Sequence, residues 1–374
     1  MKKQIVVKSV MKINKEKSCC CSVGNNNEAE ALPPRKINEK WIVGEIHTSQ
    51  GAAPIVSTTL NMNDTLGAWK VRWGIGRMDY TVDPGLYAIG NPDQASPVLV
   101  SANYKLTFDT LRQELTGLSC WLLILDTKGI NVWCAAGKGT FGTNELVKRI
   151  SKTRLSKIVS HRTLILPQLG ASGVSAYEVT KQTGFSVLYG PVRAKDIKAF
   201  VNSGFSATEE MRTVKFSTWD RLVLTPMELV AAAKTSLMVF GVLFLINLFA
   251  AQPFVLADLI MYLGAVVMGT VLTPVFLPFI PGKAFAWKGW LLGLFWTLGC
   301  ILLNGWFSSE FFLRSISYLL VLPSYSAYLA MNFTGSSTYT SFSGVIKEMK
   351  VAVPFIVLSS VAGIVLLLIK SLWA

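Results

Sequence analysis

The stretch "GINVWCAAGKGTFGTNEL", Gly129 to Leu146, follows the apolar run "CWLLILDTK" and places one thiol, Cys134, beside Trp133 at what reads as a helix start. The chain has 374 residues but only two histidines and six cysteines, so side chains that could do chemistry are scarce. Asn131 is a good N-cap residue, which puts the Cys134 sulfur in the first turn, where amide dipoles favour a thiolate. A nucleophilic cysteine needs a base, and His47 and His161 lie in no recognisable catalytic context. A metal-bound thiolate needs none, because the ion itself stabilises the deprotonated sulfur. A small buried cysteine on a packed turn fits the same residues, with Trp133 as ordinary core.

Two phosphate-binding patterns fail at this place. A P-loop requires Gly-x-x-x-x-Gly-Lys-Ser/Thr, but Val132 stands five before Gly137, and Gly139 follows Lys138 where a Mg²⁺-binding hydroxyl belongs. Gly137, Gly139 and Gly142 have the dinucleotide-loop spacing, yet "NVWCAA" separates them from the strand end that this motif requires.

The elements that must hold this stretch are strand and helix units in alternation. Residues 1–40 are polar and basic, with Cys19, Cys20 and Cys21 in a row and Pro33-Pro34 closing a linker-like segment. From Trp41 to about residue 225 the runs "SPVLVSANY", "WLLILDT", "RTLILPQLG" and "FSVLYGPV" are strand-like. The segments "TFDTLRQELTG", "TNELVKRISKTRLSKIV", "GVSAYEVTKQTG" and "RAKDIKAFVNSG" have helical spacing. The expected fold is an α/β Rossmann-like open sheet, and the Gly- and Pro-rich region before Ser96 is expected to form strands and hairpins leading into it.

Residues 226–374 are of another kind, and the 51% hydrophobic composition of the whole chain reflects them. Windows at about 229–250, 254–273, 286–306, 311–331 and 351–372 are each about 20 residues long, enough to cross a bilayer, so the expectation is an all-α domain of five transmembrane helices. Lys283 and Lys288 flank one connection and Lys347 and Lys350 another, which places both on the cytoplasmic side with the α/β domain. Lys234, Asp258 and Arg314 lie near span ends, where snorkelling accounts for them without a conduction path. The net charge of +14 is spread without a stripe or a reading motif, which argues for an anionic membrane face and against nucleic acid. The basic N-terminus lacks a secretory apolar core, and the scattered cysteines make neither a disulfide framework nor a Cys-x-x-Cys metal pair.

The residues Asn131-Val132-Trp133-Cys134-Ala135-Ala136-Gly137-Lys138 closely resemble the signature of the HgcA-type mercury-methylating corrinoid proteins. The layout of the chain from about Val43 onward is similar to that family as well. The segment "MNFTGSSTYTSFSGVIKEMK" at 331–350 resembles a stretch in the large subunit of the corrinoid iron–sulfur protein of acetyl-CoA synthesis, and the topology puts it beneath the soluble domain.

The resemblance implies a cytoplasmic corrinoid-binding domain attached to the inner membrane, holding cobalamin or a related corrinoid. It implies a methyltransferase that moves a methyl group from methyl-Co(III) corrinoid to Hg(II). Asn131 to Lys138 would form a cap helix under the corrin, with Cys134 as axial ligand to cobalt. Gly137, Ala135 and Ala136 would admit the flat macrocycle, Trp133 would pack on its rim and Lys138 would meet an amide or phosphate, with simple packing and a solvated charge as alternatives for the last two. The Asp-x-His-x-x-Gly motif of other cobalamin proteins is missing around His161, in keeping with a cysteine ligand. Ligands of open α/β sheets sit at strand C-termini, which nominates Gln168, Gly170, Gly190 and Val192 as further cofactor contacts. The implied partners are a ferredoxin-like protein with two [4Fe–4S] clusters and a methyl-donating corrinoid or methyltetrahydrofolate system. Two other readings remain: a corrinoid methyl carrier with a different acceptor, and a non-catalytic membrane sensor binding a nucleotide.

Overall fold

A computed structural model describes residues 39–248, 255–309 and 311–373. The arm with Cys19, Cys20 and Cys21 lies outside the described residues, as does Phe254 at the expected start of the second span.

The α/β domain is built on a mixed seven-stranded sheet: β1 (Ile42–Thr48), β2 (Gly51–Val56), β3 (Gly85–Ile89), β4 (Val98–Ala102), β5 (Cys120–Leu125), β6 (Thr163–Leu166) and β7 (Ser186–Tyr189), in the order β1-β2-β3-β5-β4-β6-β7. The expected parallel core is present, since β4 pairs in parallel with β5 and β6, and β6 with β7. The remainder departs from a Rossmann-like sheet: β3 runs antiparallel to β5, and β1 and β2 form a hairpin beyond it.

Helices α2 (Lys105–Glu114), α3 (Val132–Lys138), α4 (Thr143–Lys152), α5 (Ala176–Thr183) and α6 (Ile197–Asn202) follow strands in turn. Strands β3, β4 and β5 are buried along their whole length because both faces are covered. Val98, Val100, Leu123 and Leu125 face α4 and α5 through Leu146, Ile150 and Val179. Leu99, Leu122 and Ile124 face α2 and α6 through Phe108, Leu111 and Phe200. Burying one such large side chain contributes about 1.5–3 kcal/mol.

Helix α1 (Met62–Arg72) was not expected from the sequence, where this region reads as strands and hairpins. Its inward face carries a carboxylate rather than an apolar stripe. Asp64 pairs with Lys105 at 2.7 Å and Arg112 at 2.6 Å, and Asp109 pairs with the same two cations at 2.7 and 2.8 Å. Arg112 also donates to the carbonyls of Ser57 and Thr59 at 2.6 and 2.8 Å, so one buried cluster pins α1 and the turn before it onto α2. Burial works to raise the Asp64 carboxyl, but hydrogen bonds from Lys105 and Asn61 and the two nearby cations hold it below its ordinary value.

Two short helices, α7 (Glu209–Arg212) and α8 (Thr218–Leu222), lead into the helical domain. There α9 (Thr225–Asn247), α10 (Leu256–Val267), α12 (Phe285–Leu303), α13 (Phe312–Asn332) and α14 (Phe342–Trp373) are the long elements, α10 running through a π turn into the short α11 (Thr273–Val275). Among the described residues four helical stretches are long and apolar enough to cross a membrane: Thr218–Val242, Leu256–Val275, Phe285–Leu303 and Ser343–Ile369. Helix α13, expected as a fifth span, is as long but less apolar, because it lies inside the bundle and packs its serines, Ser315, Ser317, Ser324 and Ser326, among the other helices. Ser326 donates to the Gly289 carbonyl at 2.8 Å, and glycines at 289 and 293 let α12 approach it so closely that an added Cβ would meet α13 at 2.4 and 2.7 Å.

Two expectations about charge are corrected here. Asp258 and Arg314 are buried and paired with each other, and the Tyr318 hydroxyl donates to Asp258 at 2.6 Å, so neither snorkels toward a surface. Lys288 lies inside α12 and not in a loop; it is buried and donates to the Leu277 carbonyl.

Candidate functional site

The chain runs from β4 through α2 to β5 on one side of the sheet, then returns to β6 on the other side of β4. The loops leaving β4 and β6 therefore diverge, and a crevice must open between their C-terminal ends. It does: a cavity of about 540 Å³ lies there, with Ser101 and Tyr104 on the β4 side, Leu166 and Pro167 on the β6 side, and Gly190 and Val192 after β7. Arg72 from the end of α1 and Arg193 are in its lining, Arg193 being paired with Asp220 at 2.8 Å. Burial pulls the Arg72 guanidinium below its ordinary value and pushes the Tyr104 phenol up.

Asn131, Val132 and Trp133 form part of the same wall. The loop that delivers them is fixed by Asn103, buried just after β4, whose side-chain oxygen accepts from the amides of Thr127 and Gly129 at 3.0 and 3.1 Å. Gly129 is required here: its φ is +69°, and a Cβ would come within 2.9 Å of the Met78 carbonyl. Asn131 caps α3, its side-chain oxygen accepting the Cys134 amide at 2.9 Å. Gly139 ends the helix in the left-handed conformation at φ +79°.

The short helix has two unlike faces. Val132, Ala135 and Ala136 are buried in the core with Phe141. Trp133, Cys134, Gly137 and Lys138 are exposed. Of the free cysteines Cys120, Cys134 and Cys300, Cys134 is the exposed one, and burial pushes the Cys120 thiol up to about 12. A Cβ added at Gly137 would meet nothing within 4 Å, so no contact among the described residues explains a glycine in that turn. Lys138 makes no ion pair or side-chain hydrogen bond among the described residues.

The expected contacts are thus partly brought together. Asn131, Val132, Trp133, Gly190 and Val192 line the crevice, and Cys134, Gly137 and Lys138 share the open face beside it. Ala135 and Ala136 do not reach that face; they are buried in the core, and Gly173 lies so close to the Ala136 backbone that a Cβ at residue 173 would come within 3.0 Å of the Ala136 Cα. Gly170 is buried against Phe141, where a Cβ would meet the ring at 2.6 Å, and its role there is to seat the helix. Gln168 lies outside the crevice lining and accepts from Arg212 at 2.9 Å. The residues that sequence reasoning missed, Arg72, Asn103, Tyr104 and Arg193, come from three separate segments and carry no local motif.

The arrangement excludes a thiol–imidazole pair. His161 sits at the opposite, N-terminal end of β6, its Nε2 at 2.9 Å from the Ser96 carbonyl and its Nδ1 accepting the Thr163 amide, and His47 lies exposed on the edge strand β1. Among the described residues no three His, Cys, Asp or Glu side chains are grouped to hold a bare metal ion. A single exposed thiol could serve as one ligand to a metal whose other positions are filled by its own macrocycle.

Comparison with known proteins bears on this same domain. Residues 54–201 match the family described as CdhD: CO dehydrogenase/acetyl-CoA synthase delta subunit. The acetyl-CoA decarbonylase/synthase complex subunit gamma of Archaeoglobus fulgidus is 34% identical over 135 residues, 36% of this chain and 28% of that protein. That of Methanocaldococcus jannaschii is 35% identical over 131 residues, 34% of this chain and 26% of that protein. Subunit gamma 2 of Methanosarcina thermophila is 38% identical over 120 residues, 31% and 25% of the two chains. The chain spans about a quarter of the length of these relatives. The similarity falls on the α/β domain and ends before α7, so the long apolar helices lie outside the matched family segment.

Proposed function

We propose that this chain is a membrane-anchored corrinoid protein that carries a methyl group, with Cys134 as the residue that would ligate cobalt and Hg(II) as the methyl acceptor. One observation carries the reading: an exposed thiol, fixed in the first turn of a capped helix beside the switch-point crevice, with no group of three metal-ligating side chains among the described residues. The family matched by the α/β domain supports a cobalamin-type corrinoid as the cofactor. Bound there, a corrinoid supplies a methyl group attached to cobalt.

The chain's own residues define the rest. Asn131 orients the turn, and Cys134 presents a thiolate to the metal. Gly137 keeps the face flat, and Lys138 offers a free cation to a peripheral amide or phosphate. The crevice between β4 and β6, with Arg72 in its lining, suits an anionic tail. A thiolate is a strong donor, so Cys134 would hold the bound metal electron-rich, and the cofactor would then supply its methyl group, with the bonding electrons, to an electrophile such as Hg(II). No cysteine cluster for iron–sulfur centres is present among the described residues, so electrons come from a partner; a ferredoxin-like protein with two [4Fe–4S] clusters fits that need. The methyl comes from a methyltetrahydrofolate system or another methyl-donating corrinoid.

We read the helical domain as five crossings of the cytoplasmic membrane, α13 being the polar, central one, with the α/β domain in the cytoplasm. Four apolar helices of membrane length support this, as does the inward packing of the α13 serines.

The test uses full-length protein purified without oxygen and loaded with corrinoid. The visible spectrum of the holoprotein is expected to change in Cys134→Ala, and cells carrying wild type but not this variant are expected to form methylmercury. An unchanged spectrum removes the ligand assignment. A changed spectrum with no methylmercury from wild type leaves a methyl carrier with another acceptor, the reading that the names of the relatives favour.

A further inference from the structure

We propose that the loop between α13 and α14 is the second wall of the cofactor site, so that the corrinoid is held between the cap helix α3 and Thr338, Tyr339 and Thr340 of the helical domain. This rests on the corrinoid reading above.

Trp133 belongs to two spaces. On one side it lines the switch-point crevice; on the other it lines a separate cavity of about 440 Å³. Leu169 also borders both, so these two side chains stand between them. The far side of the second cavity is closed by Val214 and Phe216 of the interdomain linker and by the three residues 338–340. The Trp133 edge of the cap helix therefore faces the helical domain across this cavity, while Cys134, Gly137 and Lys138 beside it are exposed.

The loop is held in that position. The Phe216 ring stacks on Phe333 at 6.3 Å and 15°, and lies 5.9 Å from the Tyr339 ring. Arg221, fully buried, donates to the carbonyls of Phe216 at 2.7 Å and Val275 at 2.9 Å, which ties the linker to the end of α11. Neither the Thr338 nor the Tyr339 hydroxyl has a hydrogen-bond partner among the described residues, and the Tyr339 side chain is half exposed.

These features match one kind of ligand. The cap helix has seven residues and is about 10 Å long. A corrin held by Cys134 would be wider than this helix, so Trp133 and the residues beyond it would be within its reach. The ring is flat and apolar on its faces, as Trp133, Leu169 and Phe216 require, and its rim carries amide side chains that unpartnered hydroxyls can meet. The helical domain thus completes the site and does more than tether it.

The experiment titrates hydroxocobalamin into full-length apoprotein in nanodiscs and follows the visible spectrum. Tyr339→Ala is expected to weaken binding about tenfold or more, and the isosteric pair Thr338→Val with Tyr339→Phe, which removes only the two hydroxyls, by about fivefold to tenfold. Thermal unfolding of the apoprotein is expected to be the same for the isosteric pair and wild type, so a folding defect in Tyr339→Ala leaves the pair to decide. Tyr328→Ala, an exposed aromatic of α13 outside both cavities, is expected to bind as wild type does; equal weakening there overturns the proposal. Wild-type binding with both loop variants unchanged within twofold also overturns it while leaving the corrinoid reading intact. Failure of wild type to bind removes that reading itself.

Discussion

Gly137→Ala separates what the protein needs at this position from what a ligand needs. In the apoprotein a Cβ at residue 137 has open space on all sides, and the residue is in the last turn of α3. Alanine restricts the unfolded chain and is the better helix former, so the variant should be more stable by about 0.5–1 kcal/mol. In a domain of this size that is a rise in melting temperature of about 1–4 °C. Cys134 and Gly137 lie three residues apart, on one face of the helix. A macrocycle seated on the sulfur therefore covers the same space that the new methyl would fill, and overpacking of this kind costs about 1–3 kcal/mol, or about fivefold to 150-fold in affinity. The expected result is two changes of opposite sign: apoprotein that melts higher and hydroxocobalamin that binds more weakly. Thermal unfolding by near-UV circular dichroism and a spectral titration of the same preparation measure both. A variant that gains stability and binds as tightly as wild type would falsify the placement of the corrin on the open face of α3.

Arg112→Met leaves the carboxylates of Asp64 and Asp109 buried with one cation fewer, and should cost about 3–5 kcal/mol, seen as a fall in the unfolding midpoint of the α/β domain; a loss under 1 kcal/mol would mean that the cluster is well solvated. The Asp64 carboxyl is held below its ordinary 3.8, so its contribution is fully present above that value and is lost as the pH falls through its folded-state value; acid unfolding of Asp64→Asn should accordingly show a shallower dependence on pH below 3.8 than wild type. In the helical domain Arg314→Leu strands Asp258, whereas Asp258→Asn with Arg314→Leu removes both charges, so thermal unfolding in one lipid composition should show the double variant more stable than the sum of the single losses by at least about 1 kcal/mol. Strict additivity would mean that the two do not act as a pair.

The parallel core was legible because β4 to β7 are short apolar runs that end at Asn, Asp, Pro or Gly, and the helices between them keep an apolar stripe. The cap of α3 was legible from Asn131 alone. Helix α1 was not, since the residues it turns inward include Asp64 and since Gly67 lies under Tyr80, where a Cβ would come within 2.4 Å of the hydroxyl. Neither residue type signals a helix face until Lys105 and Arg112, some 40 positions away, supply the partners. The small residues of the signature divide in a way that spacing does not reveal. Ala135 and Ala136 are small for the sake of the core beneath them, and Gly137 alone is small on the open side. The crevice was foreseeable in position, at the strand ends, but not in composition, because Arg72, Tyr104 and Arg193 meet only through the sheet order.

The polarity of α13 follows from what its two ends hold. Near its start Arg314 is locked to Asp258 and Tyr318, and just past its end Phe333 stacks on Phe216. The helix itself has 21 residues and is about 30 Å long, and its serines and small residues take α12 and α14 into close contact. A helix lined with leucine would be a better lipid-facing span but would not admit the neighbouring backbones, nor accept a charged partner at its far end. Its position is therefore fixed by packing along its whole length. The loop it delivers to the cap helix is fixed with it, which is what a wall of a binding site requires and what a simple tether does not.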